Sequence, residues 1–153
     1  REHKDPNRLV MLLRYNGNGK GRYAVSTDNA QSWSEAMELP ESLTGHRPRI
    51  RRAPAPDNRL VVVMRDTAPT SHTRGHFVAW GGTFDDNVNK REGQYRIKLL
   101  HSNAGSDTGY SGLEVLPDGT FIATTYVKYE PGENKHSVVC TRFKLSETDA
   151  MGK

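Results

Sequence analysis

The sequence predicts an all-β chain folded as about three blades of a β-propeller, and three observations predict it. Short runs rich in β-branched residues recur along the whole length, separated by Gly, Pro, Asn and Asp. Helical periodicity is hard to find anywhere. A turn feeding an apolar strand occurs three times, at Asp5–Arg14, Pro56–Arg65 and Pro117–Tyr126, with the copies roughly 50 to 60 residues apart.

Strands are expected near 8–14, 21–26, 47–52, 59–65, 75–81, 93–101, 111–116, 120–127 and 136–145. Turns are expected at Asn16–Gly19, Thr27–Ala30, Pro56–Asn58 and Pro117–Gly119, where Gly, Asn, Asp and Pro supply the backbone angles a reversal needs. The repeat separates a propeller from a sandwich or barrel, because several strands per period is the mark of a blade. Leu60-Val61-Val62-Val63-Met64 is apolar without interruption. A half-buried strand alternates, so this run suits a strand covered on both faces, as neighbouring blades would cover it. Three blades cannot close a ring, since propellers carry four to eight. The expectation is that the N-terminal half of a six-bladed ring lies outside this chain, and that residues 1–153 are the C-terminal portion of one propeller domain.

A length of 153 residues allows one domain with a real core. No run approaches the ~18 apolar residues of a membrane span. Arg1-Glu2-His3-Lys4-Asp5 is charged from the first position and has no apolar stretch, so it is not a signal peptide. With no initiator Met, the chain reads as a piece of a longer protein. A formal charge of +4 favours anionic partners or serves solubility. The single cysteine, Cys140, lies in Ser137-Val138-Val139-Cys140-Thr141, where a buried structural thiol is expected.

Two segments go further. Ser26-Thr27-Asp28-Asn29-Ala30-Gln31-Ser32-Trp33 fits the Asp-box, a Ser-x-Asp-x-Gly-x-Thr-Trp hairpin, with Ala30 for Gly and Ser32 for Thr. The Asp28 carboxylate is expected to accept turn N–H bonds and Trp33 to pack on the hairpin. Ala30 stands where glycine ordinarily relieves a positive φ. The second segment is Gly109-Tyr110-Ser111-Gly112-Leu113, followed by Pro117-Asp118-Gly119-Thr120. Together with the blade repeat, these segments resemble the C-terminal half of an exo-sialidase (neuraminidase) catalytic propeller. The resemblance covers nearly the whole chain.

That resemblance implies retaining hydrolysis of a terminal sialic acid or related acidic sugar, with no cofactor and no metal. It implies Tyr110 as nucleophile, because a neutral phenol approaches a carbon bearing a carboxylate without the repulsion a second carboxylate would meet. It implies Arg14 and Arg74 as carboxylate-binding residues, since a guanidinium grips a carboxylate bidentately, with Arg65 a rival at the repeat position of Arg14. The first arginine, the acid/base aspartate and the glutamate that activates the tyrosine are expected from the missing N-terminal blades, which leaves the fragment alone inactive or nearly so. Glu2 stands too close to Arg14 to be that glutamate. A secreted or periplasmic location follows from the resemblance alone. The partners expected are a sialoglycan or other anionic carbohydrate and the missing blades.

Other constellations fail on their own chemistry. His72 and His76 have metal spacing only on a helix, which Gly75 opposes. Gly17-Asn18-Gly19-Lys20-Gly21 lacks the Ser/Thr and helix of a phosphate loop. The row His46-Arg47-Pro48-Arg49-Ile50-Arg51-Arg52 lacks interleaved aromatics, so nucleic acid is not expected as a partner, nor is a membrane. Asp66 and Glu114 are rim acids without an assigned role. Two readings from other classes stay open: a non-catalytic Asp-box propeller that binds glycans or proteins, and a structural repeat module with solvated arginines.

Overall fold

The computed structural model describes residues 1–16 and 19–151, so the Asn16–Gly19 turn and the Gly17–Gly21 loop fall partly outside the described residues. The strands are β1 (Leu9–Leu13), β2 (Arg22–Ser26), β3 (Met37–Glu38), β4 (Gly45–Arg52), β5 (Leu60–Asp66), β6 (Phe77–Gly82), β7 (Tyr95–Leu100), β8 (Thr108–Val115), β9 (Phe121–Val127) and β10 (Ser137–Phe143). All nine strands expected from the sequence are present, and β3 is additional. They form three antiparallel sheets in the orders β1-β2-β3, β4-β5-β6-β7 and β8-β9-β10, none closed on itself. The class is all-β. The three copies of the repeat are β1, β5 and β9. In the second and third sheets the repeat strand pairs with a preceding strand, β4 or β8, and the first sheet has no such strand among the described residues.

The uninterrupted apolar run of β5 has a direct cause. Val61 and Val63 pack with Leu113, Phe121, Ala123 and Phe143 of the third sheet. Leu60, Val62 and Met64 point the other way and pack with Tyr23 and Leu39, with Val10 and Leu12 of β1 against them. Successive side chains of a strand alternate faces, so a strand between two sheets must be apolar at every position. The neighbouring β6 divides likewise, with Phe77 and Ala79 to one core and Val78 and Trp80 to the other. Each buried side chain of this size contributes about 1.5–3 kcal/mol. Residues 60–64 together contribute on the order of 10 kcal/mol, as large as the net stability of a typical domain. In β9 only alternate residues are buried, because one face alone meets a neighbour.

That difference corrects one expectation. Cys140 is exposed, not buried. It lies on β10, the last strand of the third sheet, on the same uncovered face as Val138, which is 81% exposed. The run around it has the composition of β5 but a sheet on one side only.

Two short helices escaped the periodicity reading. Helix α1 (Phe84–Val88) is held by a capping box in which Asp86 N–H donates to Thr83 Oγ1 at 3.0 Å and Thr83 N–H donates to Asp86 Oδ2 at 2.8 Å. Helix α2 (Leu145–Met151) buries Leu145, and Glu147 caps it by accepting the Lys144 N–H at 2.6 Å. Both are too short for a 3.6-residue period to register. Among the described residues, no helix is long and apolar enough to cross a membrane.

The Asp-box turn between β2 and β3 is built as its residues imply. Asp28 accepts the Ser32 N–H at 2.9 Å, the Ser32 hydroxyl at 2.6 Å and the Ser26 hydroxyl at 2.8 Å, while Ser26 Oγ accepts the Ala30 N–H at 2.9 Å. These bonds, led by the Ser32 hydroxyl, bring the Asp28 carboxyl down to about 2. Trp33 is 37% exposed and belongs to neither core, because residues 29–36 are exposed throughout and no sheet covers them. Ala30 has φ +70°, the left-handed region in which its Cβ is strained. Ala30→Gly is therefore expected to raise stability by about 1 kcal/mol in denaturant unfolding. A loss of stability would show that the Ala30 methyl makes contacts worth more than the strain.

Candidate functional site

The strand pairings sort the chain's loops to two ends. Leu13 pairs with Arg22, Gly45 with Asp66, Arg65 with Phe77 and Thr108 with Val127. Hence Arg14, His46, Arg47, Arg65, Arg74, Tyr110 and Tyr126 lie at one end of the three sheets. Glu2 lies at the other, because Arg52, at the far end of β4, donates to the Arg1 carbonyl and Glu2 pairs with Arg8 at 3.1 Å. Glu2 thus stands at the opposite end of the sheets from Tyr110. The Asp-box, at the far end of β2, is equally remote.

Tyr110 sits in a bulge of β8, where pairing with β9 slips between Gly109 and Gly112. Its φ is +53°, and the residue is 73% exposed. A bulky residue in the left-handed region costs of order 1–2 kcal/mol, and such strain concentrates where a side chain must be aimed. Arg47 lies in a matching bulge of β4, between His46 and Arg49, with φ +57°. The two bulges turn these residues toward each other, and the Arg47 guanidinium stands 3.6 Å from the centroid of the Tyr110 ring. Gly109, with φ +148°, leaves the space for it, since a Cβ there would stand 2.9 Å from an Arg47 nitrogen.

A polar chain extends from this pair. Arg47 donates to Tyr126 Oη at 3.3 Å, and Tyr126 donates to Asp107 Oδ1 at 2.7 Å. The other Asp107 oxygen stands 3.3 Å from His136 Nε2. Two further arginines of β4 are used between sheets, Arg49 on the Ser111 carbonyl at 3.1 Å and Arg51 on Glu114 at 2.6 Å. The basic row is therefore largely a seam between β4 and β8.

Beside this pair, on the side of the first sheet, is a cavity of about 540 Å³ whose walls include Tyr15, His46, Arg65, Arg74, Gly75 and Ser106. Arg65 donates to the carbonyls of Ser106 and Thr108, the latter at 3.2 Å, and to His46 Nδ1 at 2.9 Å. Because a guanidinium only donates, His46 Nδ1 carries the lone pair and Nε2–H faces the Tyr15 carbonyl at 3.3 Å. Burial, then the charges of Arg65, Arg14 and Arg47, hold the His46 pKa below its ordinary value of 6.5, against the opposing Tyr15 bond. Arg65 is itself lowered by burial and by Arg47 and Arg14.

Of the residues singled out in the sequence, Tyr110, Arg14 and Arg74 share the one end, but among the described residues no hydrogen bond or ion pair joins either arginine to Tyr110. Arg14 is exposed and acts on His46 and Arg65 through its charge. Arg74 lies in the turn before β6 and lines the cavity. Arg47, placed in the sequence only within a basic row, is the cation that meets Tyr110. Its bulge was foreshadowed only by Pro48, a residue that interrupts a strand ladder. Asp66 is a buried hub and not a rim acid. At 0% side-chain exposure it accepts the Ala68 N–H at 2.9 Å, the Thr73 hydroxyl at 2.6 Å and the Ser71 hydroxyl, with Arg96 at 3.5 Å. Among the described residues no group of His, Cys, Asp and Glu is arranged to hold a metal ion.

No protein-family model matches the chain, and no curated protein matches it.

The His46 geometry has a pH consequence. The folded ring resists a proton that the unfolded chain accepts below about 6.5, so this contribution is complete above that value and is lost as pH falls through it. His76, lowered by burial and by His101, acts in the same direction. Urea unfolding at about pH 7.5 and about pH 5.5 should show a fall in stability that His46→Gln reduces, the remainder belonging to His76. An equal fall in both proteins would remove His46 from the account.

Proposed function

We infer that the three sheets are blades of a six-bladed sialidase-type propeller and that their cationic end binds an acidic sugar, with Tyr110 as the nucleophile of a retaining glycosidase. The supporting observation is Tyr110 itself: a strained, exposed tyrosine in a bulge, faced by a guanidinium, at the end of the sheets where the arginines gather. Three sheets that stack face to face and each carry one copy of the repeat strand support the blade reading.

In this reading the Tyr110 oxygen attacks the anomeric carbon, the glycosidic C–O bond breaks, and the departing oxygen takes a proton from a general acid. Water then cleaves the aryl glycoside, with overall retention. Arg47, with Arg14 and Arg74 at the same end, supplies positive charge for the sugar carboxylate. Among the described residues the Tyr110 hydroxyl has no hydrogen-bond partner, so the base that takes its proton and the general acid are assigned to other blades of the ring. The same missing base favours a second reading, a propeller that binds acidic glycans without cleaving them.

Tyr110→Phe in the full-length protein should lower kcat on a fluorogenic sialoside by at least about a hundredfold with KM little changed. Undiminished turnover would rule out Tyr110 as nucleophile. Binding of sialylated glycan by a wild-type protein that never turns it over would establish the second reading.

A further inference from the structure

We propose that His76 is an acid-sensitive latch: its neutral ring holds the crossover from β7 to β8, residues 101–107, against the second sheet, and a proton on that ring releases it. The latch rests on a bond whose direction is fixed. The Ser102 N–H donates to His76 Nδ1 at 3.1 Å. A backbone N–H only donates, so Nδ1 carries the lone pair and Nε2 the proton. A second proton enters at Nδ1, where it turns the acceptor into a donor facing a donor. Ser102 is 3% exposed, so while the crossover stays docked its orphaned N–H finds no water. His76 is not free to step aside. Its carbonyl accepts the Asp66 N–H at 3.0 Å, and the adjoining Gly75 N–H donates to the Asp66 carbonyl at 2.8 Å.

The groups around the ring set the sign of its response. Just past β7, the His101 ring lies on His76 with centroids 4.3 Å apart. Burial first, then the charges of His101 and Lys98, hold the His76 pKa below 6.5, and the Asp66 carboxylate opposes them. Its own turn also carries His72 and Arg74. The docked crossover therefore favours the neutral ring, and acidification below 6.5 favours release. What is released bears on Tyr110. The crossover packs so closely on the turn before β6 that a Cβ on Gly75 would run into the Gly105 carbonyl. On its other side it is tied to the third sheet, where the Asn103 N–H donates to the Lys128 carbonyl at 2.8 Å and Asp107 accepts from Tyr126. Opening on the second-sheet side loosens the join at which Arg47 of β4 meets Tyr110 and Tyr126. This switch stands whether or not Tyr110 is a nucleophile.

The test is a pH titration of the ¹⁵N-labelled protein from about 7.5 to about 5, following histidine ring nitrogens together with backbone amides. The Ser102 and Gly105 amide signals should shift with the midpoint at which His76 Nδ1 takes up its proton, while the amides of β5 stay in place. The Arg47 Nε–Hε signal, displaced by the Tyr110 ring, should move toward its exposed position over the same range. His76→Gln should abolish the Ser102 and Gly105 transitions and reduce the Arg47 movement. His101 is exposed, so His101→Gln gives a folded comparison even where the His76 variant does not fold. Removing that like charge should raise the His76 midpoint by about half a pH unit. Protonation of His76 with Ser102 and Gly105 unmoved, loss of the β5 amides at the same midpoint, or an unchanged midpoint in His101→Gln overturns the proposal. So does a His76 that stays neutral down to about pH 5.

Discussion

The molecule depends on β5 being covered on both faces. Its apolar run contributes to both cores, as the neighbouring β6 also does, and the first and third sheets are held in relation to each other through it. That coverage fixes where β5 ends, and so where Arg65 and Asp66 emerge. It also sets β4 beside β8, the contact that brings Arg47 over Tyr110. A close-packed interior transmits such constraints because it deforms little.

Charge is divided unevenly between the two ends. At the far end cations are neutralised: Arg59 is clamped by Asp57 at 2.6 Å and Asp149 at 2.7 Å, and Arg8 meets Glu2. At the near end Asp66 is buried and committed, and Asp107 is shared between Tyr126 and His136. Among the described residues no ion pair joins Arg14, Arg47, Arg65 or Arg74 to a carboxylate, and Asp107 acts on Arg65 only at a distance. The modest formal charge of +4 therefore understates the field at that surface, since partial burial weakens screening there.

The fold was largely legible. Turn chemistry and β-branched runs located nine strands, because those signals are local and each strand is flanked by a Gly, Pro, Asn or Asp. The repeat identified β1, β5 and β9 as equivalents. Cys140 was misjudged because composition reports hydrophobicity and not whether a neighbouring sheet exists, so β5 and β10 look alike. Helix α1 carried a readable signal in Thr83 and Asp86 that periodicity passes over. The site was legible in part. Tyr110 and the arginines were marked by residue type and spacing, but Arg47 gained its place from two bulges in strands far apart in sequence. Bulges follow from long-range register, which no short window contains. The commitment of Asp66 was equally hidden, since its partners lie in a loop that folds back on it.

The exposed thiol of Cys140 gives this chain a built-in reporter. As the sole cysteine, on the open face of β10, it accepts a maleimide dye at one defined position without any substitution. Emission from that dye would follow whatever comes to lie against the third sheet, and the near-end cluster beyond Tyr126 would be left untouched.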